Sequence, residues 1–239
     1  MPMNFKIKEV MDMVSDALGV SPEGVFVDNY FLDEGEEHPE VRTSLGKISF
    51  RVCDTRDFYV RAGATKLCLI PKNTHKDWVI KIPFTGIYDY DTNEVVGEFN
   101  INYIEEEIDI YNNCVSLTTN KLLAKNVYVG NYCNIPIYVQ ERINQVYDES
   151  IHSYDYRPKM GKKILYSLYT EQPFCYGFLY DLLMRYGHNK LKQIMSDVKE
   201  FCFDLHDENY GYTKDGTPII IDYGGFSRVN AYTYYKEKR

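Results

Sequence analysis

The sequence predicts an α+β chain in two lobes, a β-rich one followed by an α-rich one. Three observations carry that prediction. Short β-branched and aromatic runs crowd the stretch from about residue 45 to 82 and return at 126–139. Beyond about residue 142 the apolar residues take helical spacing, Leu179, Leu182, Leu183 and Tyr186 in one stripe and Leu191, Ile194, Met195, Val198 and Phe201 in the next. The second stripe runs into a polar loop and a closing hairpin. The implied division is a helical extension over 1–44, a β-rich lobe over 45–141 and a reduced helical lobe over 142–239.

Taken in order, residues 5–18 place Ile7, Val10, Met11, Val14, Ala17 and Leu18 on one helix face, and Ser21-Pro22-Glu23-Gly24 ends it. Strands are expected at Lys47–Val52, Phe58–Val60, Lys66–Ile70 and Trp78–Ile82, paired antiparallel through polar turns. Asn102 is a cap residue with Glu105 three positions on, so a helix should begin there, with Ile104, Ile108 and Tyr111 as its apolar stripe. Two more strands, Asn126–Val129 and Ile135–Val139, are expected on either side of a Gly-Asn-Tyr-Cys-Asn turn. Gly187 closes the first C-terminal stripe as a helix cap. The hairpin pairs Asn209–Tyr212 with Pro218–Asp222 across a Lys-Asp-Gly turn.

Composition narrows the function classes. A net charge of −8 with no basic stripe argues against nucleic acid as a partner, because phosphate contacts supply most of that affinity. Aromatic residues at 15%, 23 of them tyrosine, argue against disorder. The six cysteines are scattered, with no zinc-ligand spacing and no disulfide framework, which points to a reducing, cytoplasmic setting. No run approaches the roughly 18 apolar residues of a membrane span, so no membrane partner is expected.

The residues with chemistry cluster near the end. Asp204 is followed five positions later by Asn209, and Asp222 closes an apolar strand eighteen positions after Asp204. Phosphoryl transfer needs a carboxylate to orient the attacking hydroxyl and hard oxygen ligands to hold magnesium against the phosphates. Asp204 suits the first task, and Asn209 with Asp222 the second.

Asp204-Leu-His-Asp-Glu-Asn209 followed by Asp222-Tyr-Gly224 resembles the catalytic-loop and metal-loop pair of protein kinases. The Asp-Leu-His form is similar to aminoglycoside phosphotransferases and other atypical kinases, and Ile-Ile-Asp-Tyr-Gly-Gly-Phe to small kinase-like proteins of bacteria and their phages. The resemblance implies a bilobal protein-kinase-like fold, with one central helix in the β-rich lobe and a helical lobe ending soon after Asp222. It implies ATP and Mg2+ as cofactors and a bacterial cytoplasm as the setting. Val79-Ile80-Lys81-Ile82 resembles the strand whose lysine contacts the α- and β-phosphates. On the helix that follows, the 100° step sets Glu107 beside the apolar face, making it the candidate ion-pair partner of Lys81, with Glu105 second. Gly63, Ala64 and Thr65 would stand where kinases place the glycine-rich loop, with Gly63 admitting backbone amides to a phosphate and Thr65 donating its hydroxyl. Ile137–Ile143, with Glu141 near its end, resembles the strand whose backbone meets an adenine edge.

The pattern also departs from the family. Cys202 stands where protein kinases usually carry a histidine, and His206 follows Asp204 as in small-molecule kinases, either bracing the loop or moving a proton. Seventeen residues follow Asp222, with no Ala-Pro-Glu motif, so a switch by activation-loop phosphorylation is not expected. The acceptor hydroxyl could belong to a protein or a small molecule. The competing expectation is a pseudokinase that works through nucleotide or protein contacts without turnover. The two assignments separate by mutation. Asp222→Asn should abolish magnesium-dependent nucleotide affinity with the fold intact, and Asp204→Ala should keep that affinity and lose turnover. Equal losses of binding in a nucleotide titration of the two variants would reject the roles.

Overall fold

The computed structural model describes residues 3–29, 39–63, 65–73, 76–99, 101–114, 116–143, 176–201, 209–213 and 215–223. The fold is α+β, and its described residues form two compact units. One unit holds the described residues up to Ile108 together with Lys125–Arg142; the other holds Asp109–Ala124 and the described residues from Ile143 to Tyr223.

The first unit is built on a five-stranded antiparallel sheet of order β3-β4-β5-β9-β8: β3 Phe58–Ala62, β4 Lys66–Pro71, β5 Trp78–Pro83, β8 Asn126–Tyr132 and β9 Ile135–Glu141. Alternation along the strands gives it two unlike faces. Phe58, Leu67, Leu69, Ile80, Ile82, Ile137 and Val139 lie in one core with Val10, Val14 and Leu18 of helix α1 (Ile7–Leu18). Cys68, Lys81 and Tyr138 stand directly opposite one another across β4, β5 and β9, on the other face. Ile7, included in the expected stripe of α1, is 58% exposed, because the buried face of the helix is limited to Val10, Val14 and Leu18.

A second, four-stranded sheet has the order β2-β1-β6-β7: β1 Phe26–Asp28, β2 Val41–Arg42, β6 Gly86–Tyr88 and β7 Val95–Glu98. Its β1 and β6 run parallel, with Val27 opposite Ile87. Val25, Val27 and Val41, from the stretch set apart as an extension, share the core of the larger sheet. Gly24 must be glycine, since a Cβ there would come within 2.4 Å of Thr85 Oγ1, the hydroxyl that accepts from Val25 N–H at 2.8 Å. The strand expected at Lys47–Val52 does not form. Arg51 makes one isolated bridge to Arg42, and Ile48 and Phe50 stay exposed, so the burial of Val52 alone does not offset the cost of ordering an extended run. The turn expected to occupy Gly130–Asn134 is tighter. The strands continue to Tyr132 and from Ile135, and Cys133 and Asn134 form a two-residue turn with φ of 47° and 70°.

In the second unit, α4 (Tyr176–Phe201) carries both predicted stripes and breaks between them at Gly187, whose φ of 77° lies outside the helical region. Leu179, Leu182, Leu191, Ile194, Met195 and Val198 share one core with Leu122, Leu123, Tyr210, Ile220 and Tyr223. A short helix α3 (Leu117–Asn120) is tied to α4, where Ser116 and Thr119 hydroxyls both donate to Asp197 Oδ2 at 2.8 and 2.5 Å. The hairpin of β10 (Tyr210–Tyr212) and β11 (Pro218–Ile220) joins this core; Ile220 N–H donates to Leu122 and Ile220 C=O accepts from Ala124. No described helix is long and apolar enough to cross a membrane. Ile80→Ala should cost about 2–5 kcal/mol in urea unfolding, whereas Ile7→Ala should stay within about 0.5 kcal/mol. Similar losses at both sites would contradict the assignment of the buried face.

Candidate functional site

The site in the first unit starts from a helix cap. Asn102 Oδ1 accepts from Ile104 N–H at 3.1 Å and starts α2 (Tyr103–Asp109), a seven-residue helix continued by one π turn, Ile110–Cys114. Such a short helix cannot hold itself in water, so its place depends on what its side chains meet. Tyr103, Ile104 and Glu107 are its buried residues.

Glu107 is completely out of water, and donors from three strands meet its carboxylate. Lys81 Nζ reaches Oε2 at 3.0 Å, Lys66 Nζ reaches Oε1 at 3.0 Å, and Asn126 Nδ2 reaches Oε2 at 2.6 Å. The lysine side chains are themselves 4% and 6% exposed. Ion pairs this deep are strong only where each charge is also hydrogen-bonded, and the Asn126 amide adds such a bond to the carboxylate. Asn126 Oδ1 is buried with no hydrogen-bond partner.

Glu105 points elsewhere. Tyr138, on the same face as Lys81, donates its hydroxyl to Glu105 Oε1 at 2.7 Å and accepts from Asn102 Nδ2 at 2.7 Å. Burial, and next the Glu105 carboxylate, push the Tyr138 hydroxyl well above the ordinary tyrosine range. The two carboxylates two residues apart therefore divide the work: Glu107 meets the lysines, and Glu105 clamps the start of α2 to the sheet through Tyr138.

Lys66 is absent from the sequence-derived site. Its signal lay in the register. Cys68 faces Lys81, and Lys66, two residues earlier on the same strand, shares its face of the sheet. Asn126, at the start of β8, was equally unread as a site residue.

The remaining candidates are placed as follows. Gly63 N–H donates to Lys66 C=O at 3.0 Å, closing the turn between β3 and β4, and a Cβ there would meet nothing within 4 Å. Thr65 is buried and its carbonyl accepts from Phe84 N–H at 3.0 Å. Ala64 lies outside the described residues, as do Asp204 and His206. Glu141 ends β9 opposite Trp78, and its N–H donates to Lys125 C=O at 3.2 Å.

In the second unit, Asn209 immediately precedes β10, and its carbonyl accepts from Ile221 N–H at 2.9 Å. Asn209 and Asp222 thus stand at the same end of the hairpin, both half-buried. One amide oxygen and one carboxylate are hard donors that suit magnesium, an ion that keeps several waters and takes its other ligands from phosphate. Among the described residues, no group of three or more His, Cys, Asp or Glu side chains forms a self-contained metal cage.

Compared with protein-family models, curated proteins and solved structures, the chain matches none. Glu107→Gln should destabilise the protein by about 3–5 kcal/mol, because it strips the carboxylate from two buried ammonium groups. Glu105→Gln, which keeps an acceptor for Tyr138, should cost no more than about 1 kcal/mol. Urea unfolding of the two variants checks the order, and a larger loss at Glu105 would overturn it.

Proposed function

We propose that the chain is an ATP- and magnesium-dependent phosphotransferase of the atypical kinase type, moving the γ-phosphoryl group to a hydroxyl on a protein or small molecule. The observation that carries the reading is the buried Lys81–Glu107 ion pair, made between an interior strand of an antiparallel sheet and the short helix that follows. A lysine held this way has its ammonium aimed and its stem immobilised before any ligand arrives. Positioning and electrostatic stabilisation are most of what phosphoryl transfer asks of a protein.

In this reading Lys81 binds phosphate oxygens and Glu107 positions Lys81. Asn209 and Asp222 hold magnesium, which when bound neutralises phosphate charge. Asp204 orients the acceptor hydroxyl, and His206 braces that loop or moves its proton. The order of elements supports the proposal: lysine strand, the glutamate helix after β6 and β7, the β8–β9 hairpin after the short α3, long helix, then a hairpin flanked by Asn209 and Asp222.

A second reading, a nucleotide-holding module without turnover, is favoured by one observation. The Gly63 turn shows no close approach that would require glycine, and Gly63 is not among the positive-φ positions. A module of this kind would bind Mg·ATP and leave its γ-phosphate in place.

Thermal unfolding with ATP, with and without magnesium, tests the binding step. Saturation at 100 times Kd should add about 2.7 kcal/mol, seen as a rise of a few degrees that requires magnesium. Lys81→Met should remove most of that rise. No rise in the wild-type protein would reject both readings, and a rise without release or transfer of labelled γ-phosphate would select the second.

A further inference from the structure

We propose that Lys66 is a second phosphate-binding lysine of this site, so that a polyphosphate chain is held by two ammonium groups rather than one. The inference rests on the nucleotide-binding reading above and extends it to a residue outside the recognised pattern.

Three observations point to it. Lys66 and Lys81 occupy the two oxygens of one carboxylate, each at 3.0 Å, which brings two like charges side by side on the same sheet face. They project from adjacent strands, on residues offset by one two-residue step from the Cys68–Lys81 pair. Diagonal neighbours of this kind stand about 7–8 Å apart at the backbone, within reach of long side chains. Both head groups are also nearly sealed from water, so an anion that reaches them meets charges weakly screened by solvent.

Two ammonium groups set side by side repel each other, and each carries its own desolvation cost. Such an arrangement suits a ligand with several negative oxygens in a row, as a nucleoside triphosphate has. Glu107 acts as the positioning residue for both lysines. The Asn126 amide fixes the carboxylate that aims them, and its unpartnered Oδ1 leaves an acceptor in the same cluster.

The chemistry of lysine supplies a test on the unmodified protein. An acyl phosphate of ATP transfers its acyl group to a neutral amine lying beside the phosphates; a carbon–nitrogen bond forms, the carbon–oxygen bond to phosphate breaks, ATP leaves with the electron pair, and the nitrogen's proton passes to solvent. Peptide mass mapping should find both Lys66 and Lys81 acylated, and an excess of Mg·ATP should block both. Acylation of Lys81 without Lys66 would overturn the inference and leave the nucleotide site standing. Acylation of neither lysine overturns the inference as well. If wild-type protein in addition fails to bind Mg·ATP by calorimetry, the functional reading falls with it. A variant adds an independent readout. Lys66→Met should weaken Mg·ATP by about 10-fold or more, the loss of one charge-assisted contact, and leave adenosine affinity unchanged. Equal weakening for both ligands, or for neither, would assign Lys66 a structural role and reject the proposal.

Discussion

Glu107 is a carboxylate with no access to water, and an uncompensated charge in that position costs several kcal/mol. Compensation comes from three separate strands: Lys66 on β4, Lys81 on β5 and Asn126 on β8. That dependence ties the rest of the first unit together. A helix of seven residues has little stability of its own, so α2 is held by what its buried face finds on the sheet. The cluster also demands correct register across four strands, because a slip of one residue would turn Lys81 into the apolar core and leave Glu107 without a partner.

The sheet can supply these charges because its two faces do different work. One face is closed by Val10, Val14 and Leu18 and provides the hydrophobic stabilisation. The other carries Lys66, Lys81 and Tyr138 on strands of the same sheet. Alternation makes this possible without mixing the two: neighbours such as Ile80 and Lys81 are adjacent in sequence and sit on opposite sides of the sheet. The cost of burying lysines is offset next door by Leu67, Ile80 and Ile82. The second unit uses the same device on a smaller scale, where Asp197 gathers the hydroxyls of Ser116 and Thr119 and fixes the short α3 on α4. In each unit a carboxylate, buried at Glu107 and half-buried at Asp197, anchors a helix too short to stand by itself.

Much of this was legible in the residues. Alternation marked β3, β4 and β5, the cap at Asn102 marked the start of α2, and Gly187 separated the two stripes of α4 where the backbone turns out of the helical region. The 100° step chose Glu107 over Glu105, and the structure pairs Glu107 with Lys81 while Glu105 takes Tyr138. These signals are local, and each depends on a side chain's preference within a few residues of itself. The run Lys47–Val52 shows the limit of that reasoning. Its pattern is as strand-like as that of β4, yet Ile48 and Phe50 find nothing to bury against.

What the sequence determined by itself was therefore the set of elements with strong periodicity, the candidate polar side chains and their order along the chain. The tertiary structure decided which strand lies beside which. It put Val27 parallel to Ile87, set Cys68 opposite Lys81, and so brought Lys66 and Asn126 to the Glu107 carboxylate. The physical reason is that hydrophobic periodicity reports which way a residue faces, whereas the partner it faces is set by pairing between segments distant in the chain. Lys66 and Glu107 are 41 residues apart, and nothing within either neighbourhood encodes their meeting.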